Sequence, residues 1–156
     1  MTASDSDAPP PGRLCAAGLL VTPDGRYLMQ LRDDKPRIFL PGHWGLFGGS
    51  IDPGEDAAAA MRRELSEELE FAARSVRIFT DMTIGLPLPE APRRDRLIFF
   101  EVPVEEADIA RMVLHEGSAM RLFRPEALTA EPRVAPWDLA AVLMHARQAT
   151  LFRQKD

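Results

Sequence analysis

The sequence predicts a single α/β domain in which a mixed β-sheet lies between helices, an α/β sandwich. Three observations support this fold class. The chain has 156 residues, 46% of them hydrophobic, which is enough for one core and too little for two. Strand-like apolar runs occur in pairs, and they alternate with one well-marked central helix pattern and one terminal helix pattern. The sequence has no internal repeat, so a repeat architecture is not expected.

The strands are expected in a leading hairpin and in the second half of the chain. The pair Asp24-Gly25 suits a tight turn between one strand over Leu14–Val21 and another over residues 26–31. The other strand candidates are residues 76–82, residues 96–102 and Ala119–Phe123, and a loop rich in proline and arginine at residues 86–94 connects the first two.

Two main helices are expected. Asp56 is a favourable N-cap for a helix over Ala57–Leu69, which opens with four alanines, the strongest helix formers. Pro136 suits the first turn of a terminal helix that ends near Leu151, and residues 125–128 can form a helical turn before it.

Composition and charge exclude several classes of function. The 19 Lys and Arg residues against 24 Asp and Glu residues give a net charge of -5, which disfavours binding to nucleic acid polymers or anionic membranes. No apolar run reaches membrane-spanning length. Residues 1–12 are mostly small, acidic or proline residues and are expected to form a flexible leader to a domain over residues 13–156. The single cysteine, Cys15, cannot form an internal disulfide, which favours the reducing cytoplasm, and we expect it to fill core space.

Three glutamates of the central helix are predicted to share one face. Glu64, Glu67 and Glu68 stand at positions i, i+3 and i+4, so their carboxylates converge within one helical turn. Like charges at this spacing repel, and the neighbouring Arg63 cannot neutralise three acids. Such oxygen ligands select Mg²⁺, with Mn²⁺ as a substitute, and Mg²⁺ commonly takes further oxygens from substrate phosphates. On spacing alone, however, a solvated acidic face is the commoner explanation.

The surrounding residues favour the metal interpretation. Five residues separate Gly49 from Glu55, and seven more separate Glu55 from the run Arg63-Glu64-Leu65-Ser66-Glu67-Glu68. This pattern resembles the signature box of the Nudix hydrolase family, with six fixed residues and one aliphatic position in register. The resemblance implies an α/β/α sandwich. It also implies a pyrophosphohydrolase that cleaves a nucleoside diphosphate linked to another moiety, by attack of a metal-activated water on a diphosphate phosphorus.

The resemblance also implies site residues. The metal ligands would be Glu64, Glu67 and Glu68, together with the backbone of Gly49. Arg63 would hold the carboxylates in place, and Glu55 would tune the site without touching the metal. The partner would be a small nucleoside diphosphate derivative, and a homodimer is common in the family.

The general base is left open between two residues. Glu67 is a candidate within the box, as a shared metal ligand and base. Glu116, in the segment Leu114-His115-Glu116-Gly117, is a candidate because some family members carry the base on a loop near the last strands. An exposed loop acid is an equally good explanation for Glu116.

Two positions depart from the family pattern. Glu70 stands where the family has glycine, at the point where the chain leaves the helix, and a left-handed helix terminus costs about 1 kcal/mol without glycine. Phe47 precedes Gly48-Gly49, where many members carry proline. The first departure keeps a second hypothesis open, a ligand-sensing or regulatory module that has lost turnover. An isomerase acting on an isoprenoid diphosphate ranks third, because Cys15 lies in no marked catalytic motif.

The remaining aromatic, histidine and arginine residues are given structural interpretations. We expect Trp44, Phe47 and Trp137 in the core rather than stacked on a base. The three histidines have no spacing typical of metal ligands and are expected on the surface or in the core; they are His43, His115 and His145. The arginines near residue 94 are expected at a solvated hairpin tip, not on substrate phosphates; they are Arg93, Arg94 and Arg96.

Overall fold

The computed structural model describes residues 12–90 and 92–151, with side chains described up to residue 148. The predicted flexible leader therefore lies outside the described residues, apart from Gly12. Over the described part, the chain forms seven strands and four helices. In chain order they are β1 (Leu14–Val21), β2 (Tyr27–Leu31), β3 (Trp44–Gly45), β4 (Phe47–Ser50), α1 (Ala57–Leu69), β5 (Arg77–Leu86), β6 (Arg93–Pro103), α2 (Glu106–Ile109), β7 (Ala119–Phe123), α3 (Pro125–Ala130) and α4 (Pro136–Leu151).

The strands form one mixed sheet. Its main order is β3-β2-β1-β6-β5, with β4 paired to β1 and β7 paired to β2. The pairing of β1 with β6 is parallel, whereas β1 is antiparallel to both β2 and β4. The central strand β1 thus connects the early hairpin to the late β5–β6 hairpin, and the predicted mixed sheet is confirmed.

Side chains alternate along β1 and supply two cores, one on each face of the sheet. Ala16 and Leu20 belong to the core that α1 covers with Met61, Leu65 and other apolar residues. The neighbouring position Leu19 belongs to the core that α4 covers on the opposite face. Helices therefore lie on both faces, and the predicted α/β/α sandwich is confirmed.

The start of α1 follows the sequence prediction. The Asp56 side chain accepts a hydrogen bond from the Ala59 N–H at 3.0 Å, as an N-cap does. Strand β4 precedes this turn and runs so close to β1 that a Cβ atom on Gly48 would lie 2.0 Å from the Ala16 carbonyl oxygen. Glycine is therefore required at this position, and the close pairing places Gly48 and Gly49 beside α1.

The β5–β6 hairpin is longer than predicted. Leu86 pairs with Arg93 and Gly85 pairs with Arg94, so the predicted loop at residues 86–94 is wrong at both ends. Arg93 donates two hydrogen bonds to the Asp95 carboxylate, at 2.7 and 2.9 Å, and this ion pair supports a strand at residues with weak strand propensity. No helix in the described part of the chain is both long and apolar enough to cross a membrane.

Candidate active site

Two of the three α1 glutamates face β4. The Gly48 N–H donates a hydrogen bond to Glu68 Oε2 at 3.0 Å, and Glu68 is buried, with 2% of its surface exposed. A Cβ atom on Gly49 would lie 2.6 Å from the Glu64 carboxyl group. A side chain at position 49 would therefore displace the Glu64 carboxyl group, and the two glycines allow both carboxylates to approach the strand.

Glu67 takes a different direction. Its side chain is 59% exposed, and its Oε2 lies 3.5 Å from Arg63 Nη1. Within the part of the chain that the structure describes, no three His, Cys, Asp or Glu side chains form a group that could hold a metal ion. The helical spacing thus brings Glu64 and Glu68 to the strand, but it does not bring Glu67 into the same group.

Arg63 joins the turn before α1 to the acidic face of α1. Its Nε and Nη2 donate to the two Glu55 carboxylate oxygens at 2.8 and 3.0 Å, and its Nη1 donates to Glu64 at 2.7 Å. Its Nη2 also donates to the Ser50 carbonyl at 3.0 Å. The hydrogen bonds from Arg63, and then the one from the Asp52 N–H, lower the pKa of Glu55 to about 2. Glu55 is therefore ionised across the physiological range and helps to fix the Arg63 guanidinium.

Glu116 lies against Glu68. The loop that carries Glu116 is tied to the end of α1, because the His115 N–H donates to the Glu68 carbonyl at 2.9 Å. Burial, followed by the charges of Glu116 and Glu64, raises the pKa of Glu68 to about 9. Burial also raises the pKa of Glu64, although Arg63 opposes this shift. The structure thus brings a loop acid, 48 residues further along the chain, to two acids of α1.

The donor chemistry of this acidic cluster, Glu64, Glu68 and Glu116, suits a hard divalent cation. Glu64 and Glu116 each act on the charge of the buried Glu68, and among these three acids Arg63 is hydrogen-bonded to Glu64, although the side chains are not assembled into a three-acid metal group. Carboxylate oxygens are the ligands that Mg²⁺ and Mn²⁺ prefer. Burial is the main cause of the raised pKa values of Glu64 and Glu68, and the neighbouring carboxylates raise them further.

A cavity of about 290 Å³ opens beside the cluster, with Gly48, Gly49 and Glu116 in its wall. At one end, the rings of Phe39 and Trp137 are nearly parallel, with centroids 5.8 Å apart. The other end is lined by Arg13, Cys15, Arg93 and Asp95. The cavity therefore connects an aromatic end and an arginine-lined end to the acidic cluster.

Asp138 is buried at the aromatic end of this cavity. Its Oδ2 accepts a hydrogen bond from the Leu46 N–H at 2.9 Å, which joins the first turn of α4 to the β3–β4 connection. Burial raises the pKa of Asp138 to about 7, while the Leu46 hydrogen bond and the charge of Arg32 oppose the shift.

The family profile of the NUDIX domain matches residues 12–144 of this chain. The chain belongs to the Nudix domain family. The nucleoside triphosphatase NudI of Escherichia coli O1:K1 / APEC is 46% identical over 50 residues, a match that covers 32% of this chain and 35% of NudI. The chain thus spans about a third of the length of this curated relative.

Solved Nudix structures share the fold across most of the chain. A mutT/nudix family protein from Listeria innocua superposes with a TM-score of 0.73 at 20% identity, over 90% of this chain and 96% of the other. The E. coli dihydroneopterin triphosphate pyrophosphohydrolase superposes with a TM-score of 0.69 at 18% identity, over 88% and 99% of the two chains. At these identities the similarity establishes the Nudix fold alone.

Helix α1 ends in a left-handed turn, although the residue there is the glutamate Glu70. Glu70 has φ 52° and ψ 34°, and the Phe71 N–H closes the helix end by donating to the Leu65 carbonyl at 3.3 Å. The Glu70 carboxylate is hydrogen-bonded to His115 Nε2 at 2.7 Å. The chain therefore accepts the backbone strain of a left-handed glutamate and gains a contact that glycine cannot make.

Several residues of this Nudix site were not predicted from the sequence. Trp137 packs against the core as expected but also lines the cavity, and Cys15, expected to fill core space, lines the cavity too. Arg93 was expected at a solvated tip, but it lines the cavity and is bonded to Asp95. Asp138 has the sequence signal of an ordinary acid in the first turn of a helix, and its partner Leu46 is 92 residues away. These contacts depend on the tertiary fold, so no local pattern in the sequence indicates them.

Proposed function

We propose that this chain is a Mg²⁺-dependent pyrophosphohydrolase that acts on a nucleoside diphosphate linked to another moiety. The observation that carries the proposal is the acidic cluster, because the buried Glu68 and half-buried Glu64 of a helix lie near the exposed loop acid Glu116, which lines a cavity with a glycine-lined wall. The box residues that the cluster contains support the same chemistry. When bound, the metal supplies positive charge to the diphosphate oxygens and lowers the pKa of the attacking water.

Each box residue has a task in this proposal. Glu64 and Glu68 would hold the cation beside the Gly49 backbone, and Glu67, the third proposed ligand, would have to turn from its exposed position near Arg63 to join them. Arg63 fixes one oxygen of Glu64, so that the other oxygen remains available. Ordering a ligand in this way commonly changes metal affinity or activity ten- to a hundredfold.

The proton acceptor is assigned to Glu116. Its position against Glu68 lets it face a water bound at the cluster, whereas Glu67 points toward solvent and Arg63. A positioned base of this kind contributes about 10² to 10⁴ in rate. Glu67 remains the second candidate, since its side chain is on the same helical face.

The cavity supports a substrate with a planar organic group. The phosphates lie over Gly48 and Gly49 in this proposal, and the organic group extends toward Phe39, Trp137 and the buried Asp138. The local similarity to NudI, a nucleoside triphosphatase, makes nucleoside triphosphates the first substrates to test.

The test is a substrate panel with Mg²⁺, comparing the parent with Glu68→Gln. The panel contains nucleoside triphosphates, dinucleoside polyphosphates and nucleotide sugars, and the measurement is release of phosphate, pyrophosphate or nucleotide. We expect the variant to lose at least about a hundredfold in kcat, because it removes a charged oxygen ligand. Glu126→Gln, on the exposed start of α3, is the matched control and should retain the parent rate. Equal rates for Glu68→Gln and the parent would remove the cluster from the mechanism.

A ligand-sensing module is the second candidate, favoured by the absence of an assembled three-acid metal group among the described residues. This hypothesis predicts that a nucleotide derivative from the panel binds without turnover. Calorimetric binding at micromolar concentrations, with no product after long incubation in Mg²⁺ or Mn²⁺, would favour the sensing module over the hydrolase.

A further inference from the structure

The loop at residues 113–118 is bound to the end of α1 through backbone groups. The Val113 N–H donates to the Leu69 carbonyl at 3.0 Å, and the His115 N–H donates to the Glu68 carbonyl at 2.9 Å. These are two of the carbonyl groups that a helix leaves without partners in its last turn. The loop amides therefore pair with two carbonyl groups at the end of α1, and these hydrogen bonds fix the position of the loop relative to the helix.

The other side of the same loop is fixed on β2. The Ser118 N–H donates to the Leu31 carbonyl at 2.9 Å, and Gly117 has φ 86°. A Cβ atom on Gly117 would lie 2.8 Å from the Leu31 carbonyl oxygen, so this close approach requires glycine. Glu116 thus stands between one residue tied to α1 and one packed on β2, with its carboxyl group facing Glu68.

A side-chain hydrogen bond between Glu70 and His115 also joins the end of α1 to this loop. The Glu70 carboxylate and His115 Nε2 are 2.7 Å apart, and both side chains are about half exposed. Glu70 adopts a left-handed conformation that glycine adopts without strain and glutamate does not. A strained residue that makes a specific contact next to a site suggests a functional reason for the strain.

We propose that Glu70 is a positioning residue, which holds His115 and thereby keeps the Glu116 carboxyl group against Glu68. The inference rests on the proposed function, because it assigns Glu70 an effect on the residue proposed as proton acceptor. Glu70 is also expected to restrain the loop at residues 113–118, and this restraint can be tested without measuring turnover.

The decisive comparison is between Glu70→Gly and Glu70→Gln. Glycine relieves the left-handed backbone but removes the contact, so we expect a higher denaturant midpoint together with a three- to tenfold lower kcat and an unchanged KM, about the effect of one exposed hydrogen bond. Glutamine keeps an acceptor oxygen for His115 and should recover most of kcat. If Glu70 only ended the helix, the glycine variant would keep or raise kcat as its stability rose, and that result would overturn the proposal.

A double-mutant cycle identifies the partner. His115→Ala should lower kcat as much as Glu70→Gly, and the double variant should lose no more than either single variant, because both remove the same contact. Additive losses would show that Glu70 acts on something other than His115.

Amide hydrogen exchange tests the restraint without reference to activity. We expect the Val113 and His115 amides to exchange several times faster in Glu70→Gly than in the parent, while the α1 amides exchange no faster. Unchanged loop exchange would overturn the positioning role even in an active enzyme. If the parent hydrolyses no substrate of the panel, the proposed function fails, and faster loop exchange in the variant still supports the restraint.

Discussion

Arg63 illustrates how one side chain orders a site at the residue scale. Its guanidinium bridges Glu55 and Glu64 and also reaches the Ser50 carbonyl, so it connects the turn before α1, the end of β4 and the acidic face of α1. A planar fork can make these bonds together, whereas the single ammonium of lysine cannot reproduce the geometry. The charge at position 63 is therefore less important than its shape.

We predict that Arg63→Lys lowers kcat ten- to a hundredfold although the charge is kept, because the orientation of Glu64 is lost. Steady-state kinetics on the best substrate of the panel measures the effect. Arg62→Lys, the exposed neighbour on the same helix, is the matched control and should change kcat little. A full rate for Arg63→Lys would mean that charge alone suffices there.

At the scale of elements, α1 is the helix whose signals lie within its own sequence. Asp56 caps it, four alanines open it, and the apolar positions Met61, Leu65 and Leu69 fix the face that packs on the sheet. Its bounds are those predicted. The loop at residues 113–118 had no comparable local signal, because its conformation depends on carbonyl groups of α1 and β2 far away in the chain.

The N-cap can be tested by Asp56→Ala. We expect this variant to lose about 1 kcal/mol in the free energy of unfolding, because the Ala59 N–H loses its acceptor. Urea denaturation measures the loss, and Asp52→Ala, in the exposed turn just before, should change it by less than about 0.5 kcal/mol. Equal losses for the two variants would show that the cap adds nothing beyond the turn.

At the scale of the whole molecule, Asp138 joins the two halves of the chain. The hydrogen bond from the Leu46 N–H ties α4 to the β3–β4 connection, and the carboxyl group is buried at the cavity. Burial raises its pKa to about 7 from an ordinary value of 3.8. Between these values, the folded protein holds a proton that the unfolded chain has released, so this group makes the free energy of unfolding fall as pH rises.

We predict that Asp138→Asn flattens this pH dependence. The parent should lose about 1 to 4 kcal/mol more than the variant between pH 4.5 and pH 8, since asparagine carries no charge and can still accept from Leu46. Urea denaturation at the two pH values gives the comparison. A variant with the same pH dependence as the parent would show that Asp138 is already ionised at pH 4.5 in the folded protein.

The whole fold was predictable to the level of class and layers, because strand alternation and helix caps are local signals. The box residues gave the acidic face of α1, but not the direction that each carboxylate takes. The Glu67 side chain lies in solvent, near the Arg63 guanidinium. The Glu68 side chain turns inward, where the Gly48 N–H donates a hydrogen bond to it. Such choices depend on neighbours that only the folded chain supplies.

The parallel pairing of β1 with β6 also affects how the chain is made. Leu14 pairs with Arg96 and Val21 with Pro103, so the central strand leaves the ribosome long before its partner does. The edge of β1 that pairs with β6 must therefore wait unpaired during translation, even after β2 and β4 are available for the other edge, and this is a period of exposure to aggregation or chaperone binding. Slowed elongation before residue 103 would lengthen that period, and β1 is the segment that it would put at risk.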